Sequence, residues 1–429
     1  MKYEAIDPQL FIQNRANLAK AMKPNALAVF HSNDIMPTNA DGTLPFKQHS
    51  DLFYLSGIDQ EQSILVVYPD AVDEKWREVL FVRETNEHIA IWEGHKYSKE
   101  EATQTSGVRE VKWLSEFEST FQMMMAEVDC VYLNTNEHWR AEIEVQTRDA
   151  RFIKQCQERY PLHQYLRVAP IMHQLRAIKS ALEIDLIGKA CEITNKGFRR
   201  VLEFVKPGVM EYEIEAEYVH EFMRNRSAGF AYVPIIASGY NACVLHYLEN
   251  NKVCNDGDML LMDVGAEYSN YASDMTRTIP VNGRFSDRQK SVYNAVLRVF
   301  KGANDILQPG INIPEYHKEV GKMMEGELLG LGLIDKTDVK NQDPSWPAYK
   351  KYFMHGTSHH LGLDVHDYGK VNRVIEENMV FTIEPGIYIP EENMGIRIEN
   401  DFAVKQGGNI DLMKQIPIEV EDIEAHMNK

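Results

Sequence analysis

A chain of 429 residues exceeds what one hydrophobic core usually serves, so two or three domains are expected. Its 44% hydrophobic and 26% charged residues are those of an ordinary soluble globular protein, and a formal net charge of -18 argues against a nucleic-acid or anionic-membrane partner. The same acidity suits a substrate carrying positive charge, such as a peptide amino terminus, while also serving solubility.

At the amino terminus, "MKYEAIDPQL" lacks the basic region and apolar stretch of a secretory signal, and no apolar run approaches the ~20 residues of a membrane span. The five cysteines (Cys130, Cys156, Cys191, Cys243, Cys254) are odd in number, scattered, and form no C-x-x-C pair. A reduced, cytoplasmic chain is expected. Over the first ~170 residues helix and strand alternate. "NRANLAKAM" predicts a helix. "NALAVFHS", "SILVVYP", "EVLFV" and "CVYLN" are short apolar runs bounded by polar or turn residues, as strands are. No dense cluster of His, Cys or carboxylates with ligand spacing occurs here, so residues 1–174 are expected to form a structural α/β domain, packing or making subunit contacts.

From about Arg176 the pattern changes. "KSALEIDLIGKACEITNKGFRRVLEFVKPG" carries a capping box, Ser180 with Glu183, then apolar residues at Ile187, Cys191, Phe198, Leu202 and Val205, and stops at Pro207–Gly208. "FSDRQKSVYNAVLRVFKGANDILQPG" repeats the arrangement. Ser286 and Gln289 form its box, Val292, Val296, Val299, Phe300 and Ala303 its stripe, and Pro309–Gly310 its stop. Each is followed by a second helical stretch ("YEIEAEYVHEFMRN", "IPEYHKEVGKMMEG") and then by an acid-bearing strand ("LLMDVGAEY", "VFTIEPGIY"). Residues 175–429 therefore read as one domain with an internal pseudo-duplication.

Both acidic strands open hairpins. Asp263 and Asp274 are symmetric about a midpoint between Tyr268 and Ser269, which predicts that they lie directly opposite each other. Glu384 and Glu399 are symmetric about a midpoint between Glu391 and Glu392. Like charges facing one another on a sheet are destabilising, and leaving an unpaired charge buried costs several kcal/mol. A pair of divalent cations, ~3.5–4 Å apart and bridged by carboxylates, removes that penalty.

One neutral ligand would complete such a site, and "MHGTSHHLGLDVHD" (354–367) offers four histidines: His355, His359, His360 and His366. A helical zinc-protease pair would carry Glu directly after its first His, but Gly356 stands there. Gly356, Thr357 and Gly362 favour an extended or looped segment. His359 and His360 then point to opposite sides and cannot both be ligands.

Together, "LHYLEN", "LLMDVGAEYSNYASDMTRT", "HGTSHHLGLDVHD", "TIEPGIY" and "GIRIEND" resemble the pita-bread metallopeptidases, nearest to the aminopeptidase P branch with prolidase next. "HSDLFYLSGIDQEQSILVV" resembles the amino-terminal domain of that branch. The resemblance implies an α/β (α+β) protein, with a creatinase-like amino-terminal α/β domain and a carboxy-terminal pita-bread domain. It implies metal ligands at Asp263, Asp274, His359, Glu384 and Glu399. Asp274 and Glu399 match residues that bridge both ions, Asp263 one that binds the first, and His359 and Glu384 ones that bind the second. Two divalent ions are implied, Mn2+ foremost, with Co2+, Zn2+ or Fe2+ also used in the family; the oxygen-rich donor set is consistent with manganese.

The resemblance further implies that Glu384 handles the proton of the attacking water. His355 and His366 match positions that stabilise the oxyanion or contact the residues flanking the scissile bond, His246 matches a pocket histidine, and Tyr388 is a further pocket candidate. Arg397, two residues before Glu399, is expected on the same strand face, steadying the acids from behind. The implied activity is that of an Xaa-Pro aminopeptidase acting on peptides with proline second. The rival is a prolidase restricted to dipeptides. A non-catalytic pita-bread binding protein or a metal-free creatinase-like hydrolase should lack several of the five ligands, and a methionine aminopeptidase would lack the amino-terminal domain. A homo-oligomer, dimer or tetramer, is implied by the family.

Overall fold

The apolar runs of the first half become strands because each is bounded by turn-forming residues and covered on both faces. In the computed structural model, which describes residues 2–369 and 373–429, the chain divides into two units, Tyr3–Leu175 and Arg176–Lys429. The first holds strands β1 (Ala26–His31), β2 (Ile64–Val67), β3 (Glu78–Val82), β4 (Glu110–Trp113), β5 (Cys130–Leu133) and β6 (Gln164–Arg167). They form one sheet in the order β4-β3-β2-β1-β5-β6. β1, β5 and β6 run parallel, β3 and β4 run parallel, and β2 is antiparallel to both its neighbours. Central β1 is buried along its whole length. Leu27, Val29, Val66, Phe81, Phe121 and Val131 share one core with Phe117 and Phe152.

The two strands that the apolar pattern misses, β4 ("EVKW") and β6 ("QYLR"), are the two sheet edges and are partly exposed. An edge needs no continuous apolar run, and charges there discourage pairing with another chain. Helix α1 (Gln9–Ala21) precedes these strands, and α2 (Ser50–Ser56), α3 (Glu87–Glu93), α4 (Lys99–Ser106), α5 (Phe117–Met125), α6 (Arg148–Arg159) and α7 (Ala169–Ala177) connect or follow them.

In the second unit, both predicted capping boxes form. Ser180 and Glu183 start α8 (Ala181–Phe204), and α9 (Glu211–Arg224) follows; Ser286 and Gln289 start α10 (Asp287–Ile306), and α11 (Ile313–Gly330) follows. Gly208 and Gly310 take φ of 96° and 103° in the turns that end the two long helices, a conformation that favours glycine. The predicted stripes of α8 and α10 are buried. After α9 come β7 (Ile235–Ser238), β8 (Met259–Val264), the short pair β9 (Glu267–Tyr268) and β10 (Tyr271–Ala272), and β11 (Met275–Pro280). After α11 come α12 (Lys336–Lys340), β12 (Val380–Ile383), β13 (Gly386–Ile389), β14 (Met394–Arg397), β15 (Asn400–Ala403), β16 (Ile410–Asp411) and α13 (Val420–Met427). Two helices followed by an acid-bearing hairpin thus occur twice, which is the predicted pseudo-duplication. No helix among the described residues is long and apolar enough to cross a membrane.

Candidate metal centre

The first hairpin departs from the predicted register. β8 and β11 pair Asp263 with Thr276, and β9 and β10 pair Tyr268 with Tyr271. The turn is therefore Ser269–Asn270, with φ of 55° and 64°, the left-handed pair that a tight two-residue hairpin needs. Asp263 does not face Asp274 directly. Asp274 lies diagonally, two residues from Asp263's partner and on the same face. By the same register Gly265 stands opposite Asp274, where a Cβ would come within 1.8 Å of the Ser273 carbonyl oxygen. The ladder opens there, and the Asp274 N–H donates to Asp401 Oδ2 at 3.0 Å.

The second hairpin keeps its predicted register. Gly386 pairs with Arg397 and Ile383 with Asn400, which sets Glu384 opposite Glu399 at a break between strands. The Glu399 N–H donates across to Thr276 O at 3.0 Å, joining the two hairpins at their ligand-bearing positions.

The histidine segment runs along β12 in extended form: Thr382 N–H donates to His359 O, and Glu384 N–H to Thr357 O. Alternation then separates the adjacent imidazoles. His359 Nε2 lies 3.4 Å from Asp274 Oδ2 and 3.8 Å from Glu384 Oε1, whereas His360 packs on Phe381 with ring centroids 4.2 Å apart. His359 Nδ1 is 3.0 Å from His360 O. A carbonyl only accepts, so Nδ1 carries the hydrogen and a neutral His359 turns the Nε2 lone pair toward the acids. The His366 ring stands 4.5 Å from that of His359, edge to face.

Ligand atoms of Asp274, His359 and Glu399 lie within 4.8 Å of one another. Asp263 and Glu384 fall outside that triplet but reach it, Asp263 through a shared partner of Asp274 and Glu384 through its approach to His359. Burial pushes Asp263 and Glu399 above the usual carboxylate range, Glu399 well above. Burial also carries Glu384 up to about 7, although His359 and Arg397 pull it down. Burial opposes a charged His359, yet Asp274 and Glu384 raise it to about 9. A donor set that draws protons onto its acids and imidazole is short of positive charge, and divalent cations supply it. Four carboxylates with one correctly presented imidazole fit a dinuclear centre with a preference for hard or borderline ions.

Arg397 braces the acids from below, as its place two residues before Glu399 predicts. Its Nη2 donates to Asp263 Oδ2 at 2.6 Å, and its Nε to Thr276 Oγ1 at 3.0 Å, which in turn donates to Glu399 Oε2 at 2.6 Å. Arg397 Nη1 donates to Tyr388 Oη at 2.8 Å. His355 Nδ1 faces a carbonyl, which only accepts, so in the neutral ring Nε2 takes the hydrogen of the Tyr388 hydroxyl, 2.7 Å away. His355 Nδ1 donates to Gly356 O at 2.7 Å. Burial and then Arg397 lower His355 to about 3, so it is neutral. Tyr388 is fully buried beneath the site rather than lining it. His246 is exposed, near enough to His355 to contribute to its lowered basicity.

Sequence reasoning missed two residues. Tyr232 places its hydroxyl 2.6 Å from Asp263 Oδ1 and 2.5 Å from Asp274 Oδ1. Nothing in "FAYVP" announces that role, which arises only from the fold-back of residues 229–231 onto Gly265 and Glu267. Thr276 was legible in retrospect, since alternation puts it on the same face as Asp274.

Known proteins match the chain over nearly its whole length. Residues 185–406 match metallopeptidase family M24, and residues 11–132 match the aminopeptidase P amino-terminal domain. The chain is 34% identical to the Xaa-Pro aminopeptidase of Escherichia coli over 98% of both chains, and 31% identical to human Xaa-Pro aminopeptidase 3 over 92% of this chain and 78% of that one. Its fold matches zinc-substituted E. coli aminopeptidase P in complex with product, at TM-score 0.87 and 33% identity over 99% of each chain. It also matches a Pseudomonas aeruginosa aminopeptidase, at TM-score 0.89 and 31% identity over 99% and 98%.

Proposed function

The chain belongs to metallopeptidase family M24, in its aminopeptidase P branch, and we propose that it releases the amino-terminal residue from peptides whose second residue is proline. It is a peptide hydrolase with a pita-bread catalytic domain. The observation that carries the reading is the gathering of Asp274, Glu384 and Glu399 about one imidazole, with Asp263 tied to Asp274 through Tyr232, built from two hairpins and a single extended segment.

Asp263, Asp274, His359, Glu384 and Glu399 would hold two divalent ions, manganese being our assignment from the oxygen-rich donor set. Bound there, the ions would acidify a water and polarise the scissile carbonyl. The chain's own residues do the rest. Glu384, between His355 Nδ1 at 3.7 Å and His359 Nε2 at 3.8 Å, takes the proton of the attacking water and returns it to the proline nitrogen. Arg397, Thr276 and Tyr232 hold the acids in position. His246, exposed near His355, and His366, exposed beside His359, contact the peptide, and His355 is locked by Tyr388 at the pocket edge. We assign the amino-terminal unit to packing and subunit contacts within a homo-oligomer, and the protein to the cytoplasm, where its unpaired cysteines would stay reduced.

Metal analysis beside a panel of one Xaa-Pro dipeptide and one Xaa-Pro-Xaa tripeptide tests the reading. Turnover of the tripeptide with metal bound is expected. Hydrolysis of the dipeptide alone would make the protein a prolidase, and fewer than about one ion per chain would remove the dinuclear centre altogether.

A further inference from the structure

Glu211, at the start of α9, is fully buried, and among the described residues no cationic side chain pairs with it. A carboxylate buried in this way is costly unless its oxygens collect donors. Oε1 accepts from Ser238 N at 2.8 Å, Ser238 Oγ at 2.7 Å and Asn241 Nδ2 at 3.4 Å. Oε2 accepts from Tyr247 Oη at 2.8 Å and Lys252 N at 2.9 Å. All these donors belong to the end of β7 and the loop that follows it. That loop holds a short helical turn, Gly239–Cys243, and no strand ladder between it and Lys252, so side chains must fix its course. Asn250 adds a second anchor, accepting from Ile236 N at 2.9 Å and donating to Pro234 O at 3.0 Å.

The loop carries His246 at a turn, exposed, directly before buried Tyr247. Tyr247 belongs to one buried cluster with Ala237, Leu261 and Tyr388, the tyrosine that holds His355. Fixing the Tyr247 hydroxyl on Glu211 therefore fixes on which side of the chain His246 emerges. We propose that Glu211 is a positioning residue of the substrate pocket, clamping the Ser238–Lys252 loop so that His246 is held beside His355. The inference rests on the reading of His246 as a pocket residue.

Glu211→Gln tests it in the full-length metal-loaded enzyme with an Xaa-Pro-Xaa tripeptide. Whichever way the amide turns, its NH2 meets N–H or O–H donors, so the clamp is lost with little change in shape. The expected result is a rise in KM of about tenfold with kcat within about threefold and metal content unchanged. Tyr247→Phe, which removes one donor and keeps the ring, should move KM the same way by about threefold, and it carries the test if Glu211→Gln does not fold. Made on a His246→Ala background, either change should alter KM by less than about twofold, because the residue they position is gone. A wild-type KM in the single variants, or full additivity with His246→Ala, overturns the proposal while leaving the pocket reading intact. A wild-type KM and kcat for His246→Ala overturns the pocket reading, and the proposal with it.

Discussion

Tyr232→Phe isolates one atom of the metal centre. The hydroxyl lies within 2.6 Å of Asp263 Oδ1 and 2.5 Å of Asp274 Oδ1, but it has a single hydrogen, so it donates one full bond at a time. A hydrogen bond to a charged group contributes about 1.5–3 kcal/mol, and the phenylalanine ring leaves no cavity beyond the lost oxygen. At about 1.4 kcal/mol per decade, the loss corresponds to roughly 10–100-fold in metal affinity, which is also the usual cost of removing a partner that orients metal ligands. Competition against a fluorescent chelator gives that affinity directly, and kcat/KM should recover when metal is added in excess. Unchanged metal affinity in a variant with wild-type thermal stability would show that Tyr232 does not orient the aspartates.

Three further outcomes are expected. Asp274→Asn or Glu399→Gln should abolish peptide hydrolysis with loss of bound metal, measured by elemental analysis; full activity in either contradicts the ligand assignment. His366→Ala should lower kcat at least about tenfold while metal content holds, since its ring stands edge to face beside that of His359; parallel loss of metal would make it a ligand. The last concerns stability. Burial works against a charged Asp367, but Arg176, 2.6 Å away, and Lys179, 3.0 Å away, outweigh it and hold the carboxyl down to about 2. A folded value below the unfolded ~3.9 means a contribution of about 2–3 kcal/mol, present above pH ~4 and lost as pH falls toward 2. Urea unfolding of the wild type and Asp367→Asn across that range should show their stability gap narrowing on the acid side, and a constant gap would refute the pairing.

Local signals made much of this protein legible. The Ser180 and Ser286 capping boxes, the apolar stripes and the Pro-Gly stops depend on residues three to four apart, and α8 and α10 form where those signals place them. Glu384 and Glu399 could be set opposite each other because that hairpin closes symmetrically about its turn. The same reasoning put Asp263 opposite Asp274, two residues from its partner Thr276, since hairpin register is set by which residues accept a positive φ, and Ser269–Asn270 did. β4 and β6 escaped notice because an edge strand needs no apolar alternation.

Sequence by itself determined the chemistry: five potential ligands of hard and borderline type, an arginine in phase with Glu399, and a histidine pair of which only one member could face the acids. Only the tertiary structure decided what surrounds them. Tyr232 reaches Asp263 and Asp274 from 31 and 42 residues away, Thr276 bonds Glu399 across 123, and Glu211 gathers a loop ending 41 residues later. Periodicity records the face on which a side chain stands within its own element, whereas these partners are chosen by how elements pack against one another, and no spacing along the chain encodes that.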